Sequence, residues 1–316
     1  MNLNNVKDLN IIYSTIKTAY KFKPDISIIK EIDYIPNINI FERALNEDDF
    51  GWGFVFNYFN KCNKYYKLKY KNITFFVLNF GNLTKGKKLA LCNNIYRVYL
   101  TSLLYQVKKD FNIYILMNPA KRKFPNKNKI VEAKHINGGF TYMNGDNIFI
   151  VRYEDYEKVI IHELLHHNKV MHYDSWDYNN IIKLKKFNNI ELGQKLIPNE
   201  AIIEVFACVL NAIFYSIEKK QSFTRLLKKD REHNLMLAGK ILELQGNKKW
   251  VEKSNSYCYV VYKAIFYIYF NDFLKIYKYY DDTIITNFIV EYFPKLLKQI
   301  KRIKLDKEKS LKLTIF

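Results

Sequence analysis

The 316-residue chain is predicted to adopt an α+β fold, with a mixed β-sheet and helices in its N-terminal half and a mainly helical C-terminal half. Three observations carry this expectation. Runs rich in β-branched and aromatic residues, alternating or continuous, fall in the stretch from Tyr65 to Tyr153. Beyond residue 180 these strand signals fade and long apolar helical patterns take over. Gly and Pro are scarce, at 10 and 6, and no Ser/Pro/Gly-rich linker or repeat of about 20–50 residues is visible, so one compact molecule is expected rather than tethered modules.

Taken in order, residues 1–64 read as a mainly helical extension, with apolar positions in IIYSTIKTAY and around FERALNEDDFGWGFVFNYF and no recognisable chemistry. Residues 65–172 read as the sheet-bearing subdomain. YYKLKYKNITFFVLNF supplies one or two strands, KKLALCNNIYRVYLTSLLYQVKKDF a long helix, and NIYILMNP a short strand ended by proline. GGFTYMNGDNIFIVRY places Asn144-Gly145 between two alternating runs, a strong short-range hairpin signal. A helix is expected from about Glu154 through HELLH. Residues 173–316 read as a helical subdomain, in which Pro198 opens the apolar helix PNEAIIEVFACVLNAIFYSIE. It ends in a basic tail, KLLKQIKRIKLDKEKSLK, with Leu296, Ile300, Ile303 and Leu311 near helical spacing, as in a solvated amphipathic helix.

Composition bounds the function classes. The segment MNLNNVKDLN lacks the basic and apolar regions of a secretory signal, so an intracellular, cytoplasmic protein is expected. The apolar run Tyr257 to Phe270 is shorter than the ~20 residues of a membrane span and is interrupted by Lys263, so no transmembrane segment is expected. Cys62, Cys92, Cys208 and Cys258 are widely separated and form no CxxC pair, which argues against a thiolate metal knuckle or a redox motif. The net charge of +20 favours acidic partners, nucleic acid among them. Much of it is lysine in a chain also rich in Asn, Ile and Tyr, the imprint of an AT-rich genome, and that compositional reading is favoured over a dedicated acidic partner.

The chemistry concentrates in HELLHHNKVMH, where four of the six histidines fall within residues 162–172. His162 and His166 are four apart, so on a helix their imidazoles meet on one face with Glu163 beside them. Val159, Ile160, Ile161, Leu164 and Leu165 make the helix apolar around them, and burying His and Glu in such a segment is costly unless they are paired or metal-bound. A catalytic zinc site takes a third protein ligand. His172 has the spacing of HExxHxxGxxH, but a continuous helix would carry it ~9 Å along the axis from His166, and Lys169 stands where the required turn has glycine. Glu200 is the second option. With Glu204 it forms another i,i+4 pair on an almost wholly apolar helix, where Zn²⁺ would partner Glu200 and the free N–H of a ligating imidazole would partner Glu204.

HELLH followed by NEAIIE on an apolar helix resembles the gluzincin branch of the zincin metallopeptidases. The stretch from Gly138-Gly139-Phe140-Thr141 through IFIVRYEDYEKVIIHELLHH to NEAIIEVFACVLNAIF is similar to zincin-like proteins of large DNA viruses, over roughly residues 110 to 217. The resemblance implies a zincin-like fold with the active site between the two halves, a zinc-dependent peptidase, His162, His166 and Glu200 as ligands, and Glu163 as general base. It implies a protein or peptide substrate, and for a viral protein a place in the host cell or virion. The strand Gly138–Thr141, at a sheet edge, would hold an extended peptide by main-chain pairing. His233 is the one histidine beyond residue 172 and the candidate donor to a developing oxyanion. Two other readings stand beside the peptidase. One is a zincin-fold protein without catalysis, binding nucleic acid or protein through its basic surface. The other is nucleotide binding at Gly81-Asn82-Leu83-Thr84-Lys85-Gly86-Lys87-Lys88, which fits GxxxxGK but has Lys88 where a hydroxyl should hold Mg²⁺.

Overall fold

A computed structural model describes residues 8–46, 53–107, 109–126, 129–142, 145–167, 176–277, 281–306 and 309–316. Asn144 of the expected hairpin turn, and His172 with the turn that precedes it, lie outside these residues. The class is mixed α/β, with a six-stranded mixed sheet followed by helices. In chain order the elements are α1 (Leu9–Ala19), β1 (Lys30–Ile32), α2 (Ile38–Asn46), α3 (Gly53–Phe59), β2 (Lys64–Tyr70), β3 (Ile73–Asn79), α4 (Lys85–Leu104), β4 (Phe111–Leu116), α5 (Ala133–Ile136), β5 (Gly139–Thr141), β6 (Asn147–Ile150) and α6 (Tyr156–His166). These are followed by α7 (Tyr178–Phe187), α8 (Asn199–Glu218), α9 (Phe223–Gln245), a π-helix (Cys258–Tyr262), α10 (Lys263–Ile268), α11 (Phe270–Tyr277) and α12 (Asp282–Ile300). Backbone packing divides the chain into two compact units. One is built mainly from Ile16–Lys121 and Asn137–Val170, the other from Asn4–Thr15, Arg122–Ile136 and Met171–Phe316.

The first unit is organised by its sheet, in the order β1-β2-β3-β4-β6-β5. The stretch YYKLKYKNITFFVLNF forms two strands, turning at Lys71, which takes a left-handed φ of 56°. Strands β3, β4 and β6 pair in parallel, and β1 and β5 close the two edges in antiparallel pairing. The parallel strands read as continuous apolar runs because both their faces are covered. Phe75, Val77, Ile113, Ile115, Ile148 and Ile150 pack with residues of α4 and α6, including Leu91, Ile95, Val159 and Ile160. The alternate residues Phe76, Leu78, Tyr114, Leu116 and Phe149 pack with Phe41, Leu45 and Val55 of α2 and α3. The described residues among the first sixty are thus mainly helical with one strand added, since β1 extends the sheet.

The second unit is helical, and no strand follows β6 among the described residues. Its axis is α8, which packs against α9, the π-helix and α10. Helix α8 has the length and mean hydropathy, 1.7, of a membrane span, yet 89% of that window is buried inside the protein, as befits a core helix. The basic tail departs from its helical expectation. Helix α12 stops at Ile300, and beyond it Leu311 and Leu313 are buried with Lys312 between them partly exposed. That period of two is an extended pattern. The backbone is held accordingly, with Leu311 N–H donating to Arg122 O at 3.2 Å and Phe124 N–H to Lys309 O at 2.8 Å.

Candidate metal centre

Helix α6 rests on α4, β5 and β6, and every residue from Tyr156 to Leu165 except Glu157 is buried. Glu157 is anchored instead by the buried Arg97 guanidinium at 2.8 Å. The helix ends at His166, and His167 is already extended, with φ −64° and ψ 129°. On consecutive turns, the Nε2 atoms of His162 and His166 lie 3.1 Å apart, with ring centroids 4.8 Å apart at 64°. His162 and Glu163 are only 4% and 6% exposed. His167 is fully buried beside the Phe111 ring at 5.3 Å, and desolvation pushes its pKa below the ordinary value, so its uncharged form packs in the core.

Glu200 and Glu204 lie one turn apart near the start of α8, both buried, after Pro198 with φ −62° and ψ −22°. Besides Cys208, whose thiol donates to Glu204 Oε1 at 3.9 Å within α8, they have partners on the π-helix and the residue that follows it. Tyr259 donates its hydroxyl to Glu200 Oε2 at 2.9 Å, and Lys263 Nζ lies 3.8 Å from Glu204 Oε1 while donating to Leu313 O at 2.9 Å. Asn199, beside Glu200, accepts from the Trp176 indole N–H through its side-chain oxygen. Sequence reasoning missed Tyr259, Lys263 and Trp176 as partners of this helix. The available signal is a tyrosine and a lysine four apart inside the apolar run 257–270, matching the spacing of the two glutamates, though in sequence Lys263 stands out only as an interruption of that run.

The ligand atoms of His162, His166 and Glu200 all lie within 4.8 Å of one another. Among the described residues this is the one group of His, Cys, Asp and Glu so gathered, and such a buried two-imidazole, one-carboxylate group could hold a metal ion. His233 is engaged elsewhere, its Nε2 being 2.7 Å from Lys312 O. Of the expected strand Gly138–Thr141, residues Gly139–Thr141 form the edge strand β5, and Gly138 precedes it. A Cβ on Gly139 would stand 2.8 Å from Phe149 O and 2.9 Å from Val159 Cγ1, so glycine there permits the close approach of the edge to β6 and α6. In the segment Gly81–Lys88, Thr84 caps α4 by accepting from Lys87 N–H, and the Lys87 and Lys88 ammonium groups lie over the Tyr153 and Tyr66 rings at 5.3 and 5.9 Å. Compared with known proteins, the chain matches no protein-family model, no curated protein and no solved structure.

Proposed function

We propose that the protein is a zinc-dependent peptidase with a zincin-like site of the gluzincin type, acting on protein or peptide substrates. The carrying observation is the convergence of His162, His166 and Glu200. The donor set fits zinc. Two imidazoles and a carboxylate are a familiar catalytic zinc set, and tetrahedral coordination at Zn–N of about 2.0–2.1 Å separates two nitrogens by roughly 3.3 Å. The observed separation is 3.1 Å.

A zinc ion bound there supplies Lewis acidity toward a scissile carbonyl and lowers the pKa of a water. The remaining work belongs to the chain. Glu163, next to His162 on α6 and buried, takes the proton of the attacking water and passes it to the leaving amine nitrogen. The burial of α6 around His162 holds that imidazole in place, while His166 at the end of the helix stays partly exposed, on the side where water and substrate would enter. The edge strand β5, with Gly139, Phe140 and Thr141 each partly exposed, is the edge of the sheet along which an extended peptide would lie.

Cleavage of a denatured proteome, read by labelling new N-termini, tests the reading with wild-type protein supplied with zinc. Cleavage should vanish in Glu163→Gln while zinc content stays at the wild-type level. Wild-type cleavage equal to that of Glu163→Gln would overturn the peptidase, and a wild type that takes up no zinc would overturn the site.

A further inference from the structure

We infer that Tyr259 is a positioning residue of this metal centre, its hydroxyl holding the Glu200 carboxylate in one rotational setting through a π-helical turn; the inference rests on the metal-site reading above. The turn is the first piece of the argument. Lys263 N–H bonds to Cys258 O, five residues back, where an α-helix would bond four back. The wider turn shifts the phase of the side chains that follow it. Within it Cys258, Val260, Val261 and Tyr262 are fully buried, and Tyr259 alone is partly exposed. Π-helical turns cluster at functional sites, and this one presents its single outward side chain to Glu200.

The second piece is a matching of spacings. Tyr259 and Lys263 are four apart and face Glu200 and Glu204, also four apart, so two successive rungs join the helices. A structural seam needs only the ion pair, which is wholly buried. The outer rung falls on the one glutamate that belongs to the metal group.

The third piece is the chemistry of a carboxylate ligand. Its terminal torsion is broad and roughly two-fold, so an unanchored carboxylate loses freedom on binding a cation. A hydroxyl donating to one oxygen sets that torsion before the cation arrives. Groups that orient metal ligands in this way are worth about 10–100-fold in metal affinity.

The test is Zn²⁺ affinity measured by chelator competition, with the Co²⁺ absorption spectrum as a second readout, in wild type, Tyr259→Phe, Tyr259→His and Glu200→Ala. Removing only the hydroxyl in Tyr259→Phe should weaken Zn²⁺ binding by about 10–100-fold and alter the Co²⁺ spectrum while the apo-protein stays folded, its melting temperature lowered by the donor lost from the buried carboxylate. Tyr259→His, which restores a donor, should recover part of the affinity and is read alone if Tyr259→Phe does not fold. Wild-type affinity and spectrum in both variants, with binding lost in Glu200→Ala, would overturn the role of Tyr259 and leave the metal site standing. No Zn²⁺ binding by wild type would overturn both.

Discussion

The histidine pair of α6 and the glutamate pair of α8 have the same i,i+4 spacing, yet they are held in different ways, and His166 alone of the four is partly exposed. His162 and His166 meet through the geometry of one helix, with Nε2 atoms 3.1 Å apart. Glu200 and Glu204 instead draw partners from residues some sixty positions away, Tyr259 and Lys263, and Lys263 in turn holds Leu313 near the end of the chain. Two imidazoles on consecutive turns need only their own helix to meet, whereas a buried carboxylate needs donors wherever the fold can find them. The carboxylate half should therefore be sensitive to changes far from it in sequence.

The largest expected effect of that kind is at Lys263, whose side chain is wholly buried against Glu204. Lys263→Met should cost about 3–5 kcal/mol in urea unfolding, because it removes a buried charge from beside another. A cost under ~1 kcal/mol would place the weight of the seam elsewhere.

Asp230 comes next. It is fully buried and accepts from the Tyr267 hydroxyl at 2.8 Å, the Thr314 hydroxyl at 3.0 Å and Ile315 N–H at 2.8 Å, which ties the tail to α9. Asp230→Ala should cost about 3 kcal/mol and expose residues 310–316 to proteolysis before the rest of the chain. Protease resistance of the tail in that variant would break the link.

The histidine half is probed at Gly139, where a Cβ would press on Phe149 O and the Val159 side chain. Gly139→Ala should destabilise by about 1–3 kcal/mol through overpacking, read from the same unfolding curves. A neutral result would mean that β5 stands off α6 more freely than the contact implies.

The smallest effect concerns pH. Burial is the main cause that lowers the His233 pKa, opposed by its bond to Lys312 O and by Asp230, with Lys263 and Lys312 acting in the lowering direction. A depressed folded-state value means that the unfolded chain binds the proton more readily. The contribution of His233 is then fully present above its unfolded pKa near 6.5 and is lost as pH falls through the folded value. Wild type should lose slightly more stability than His233→Gln over that window, and parallel pH profiles for the two proteins would contradict this.

How much was legible in the chain follows the same division. Strand runs, the HELLH helix and the apolar α8 are local patterns, and the alternation of Phe75 and Val77 with Phe76 and Leu78 explains why β3 reads as a continuous apolar run. The mixed sheet order was not legible, since pairing partners are chosen by packing across long separations. The basic tail misled because Leu296 and Ile300 do sit on a helix, whereas Leu311 and Leu313 belong to an extended segment whose carbonyls serve Lys263 and His233. Of the candidate site, the two histidines and Glu200 were readable from spacing and burial cost. Tyr259 was not, because its place depends on a π-helical turn that apolar periodicity does not reveal.

The most direct measurement is metal content by elemental analysis, on wild type and on His162→Ala, Glu200→Ala and His172→Ala proteins, each purified and then supplied with zinc. The account requires zinc close to equimolar with the chain in wild type and in His172→Ala, and its loss in His162→Ala and in Glu200→Ala. Zinc retained by Glu200→Ala, or a wild type that binds none, would contradict it.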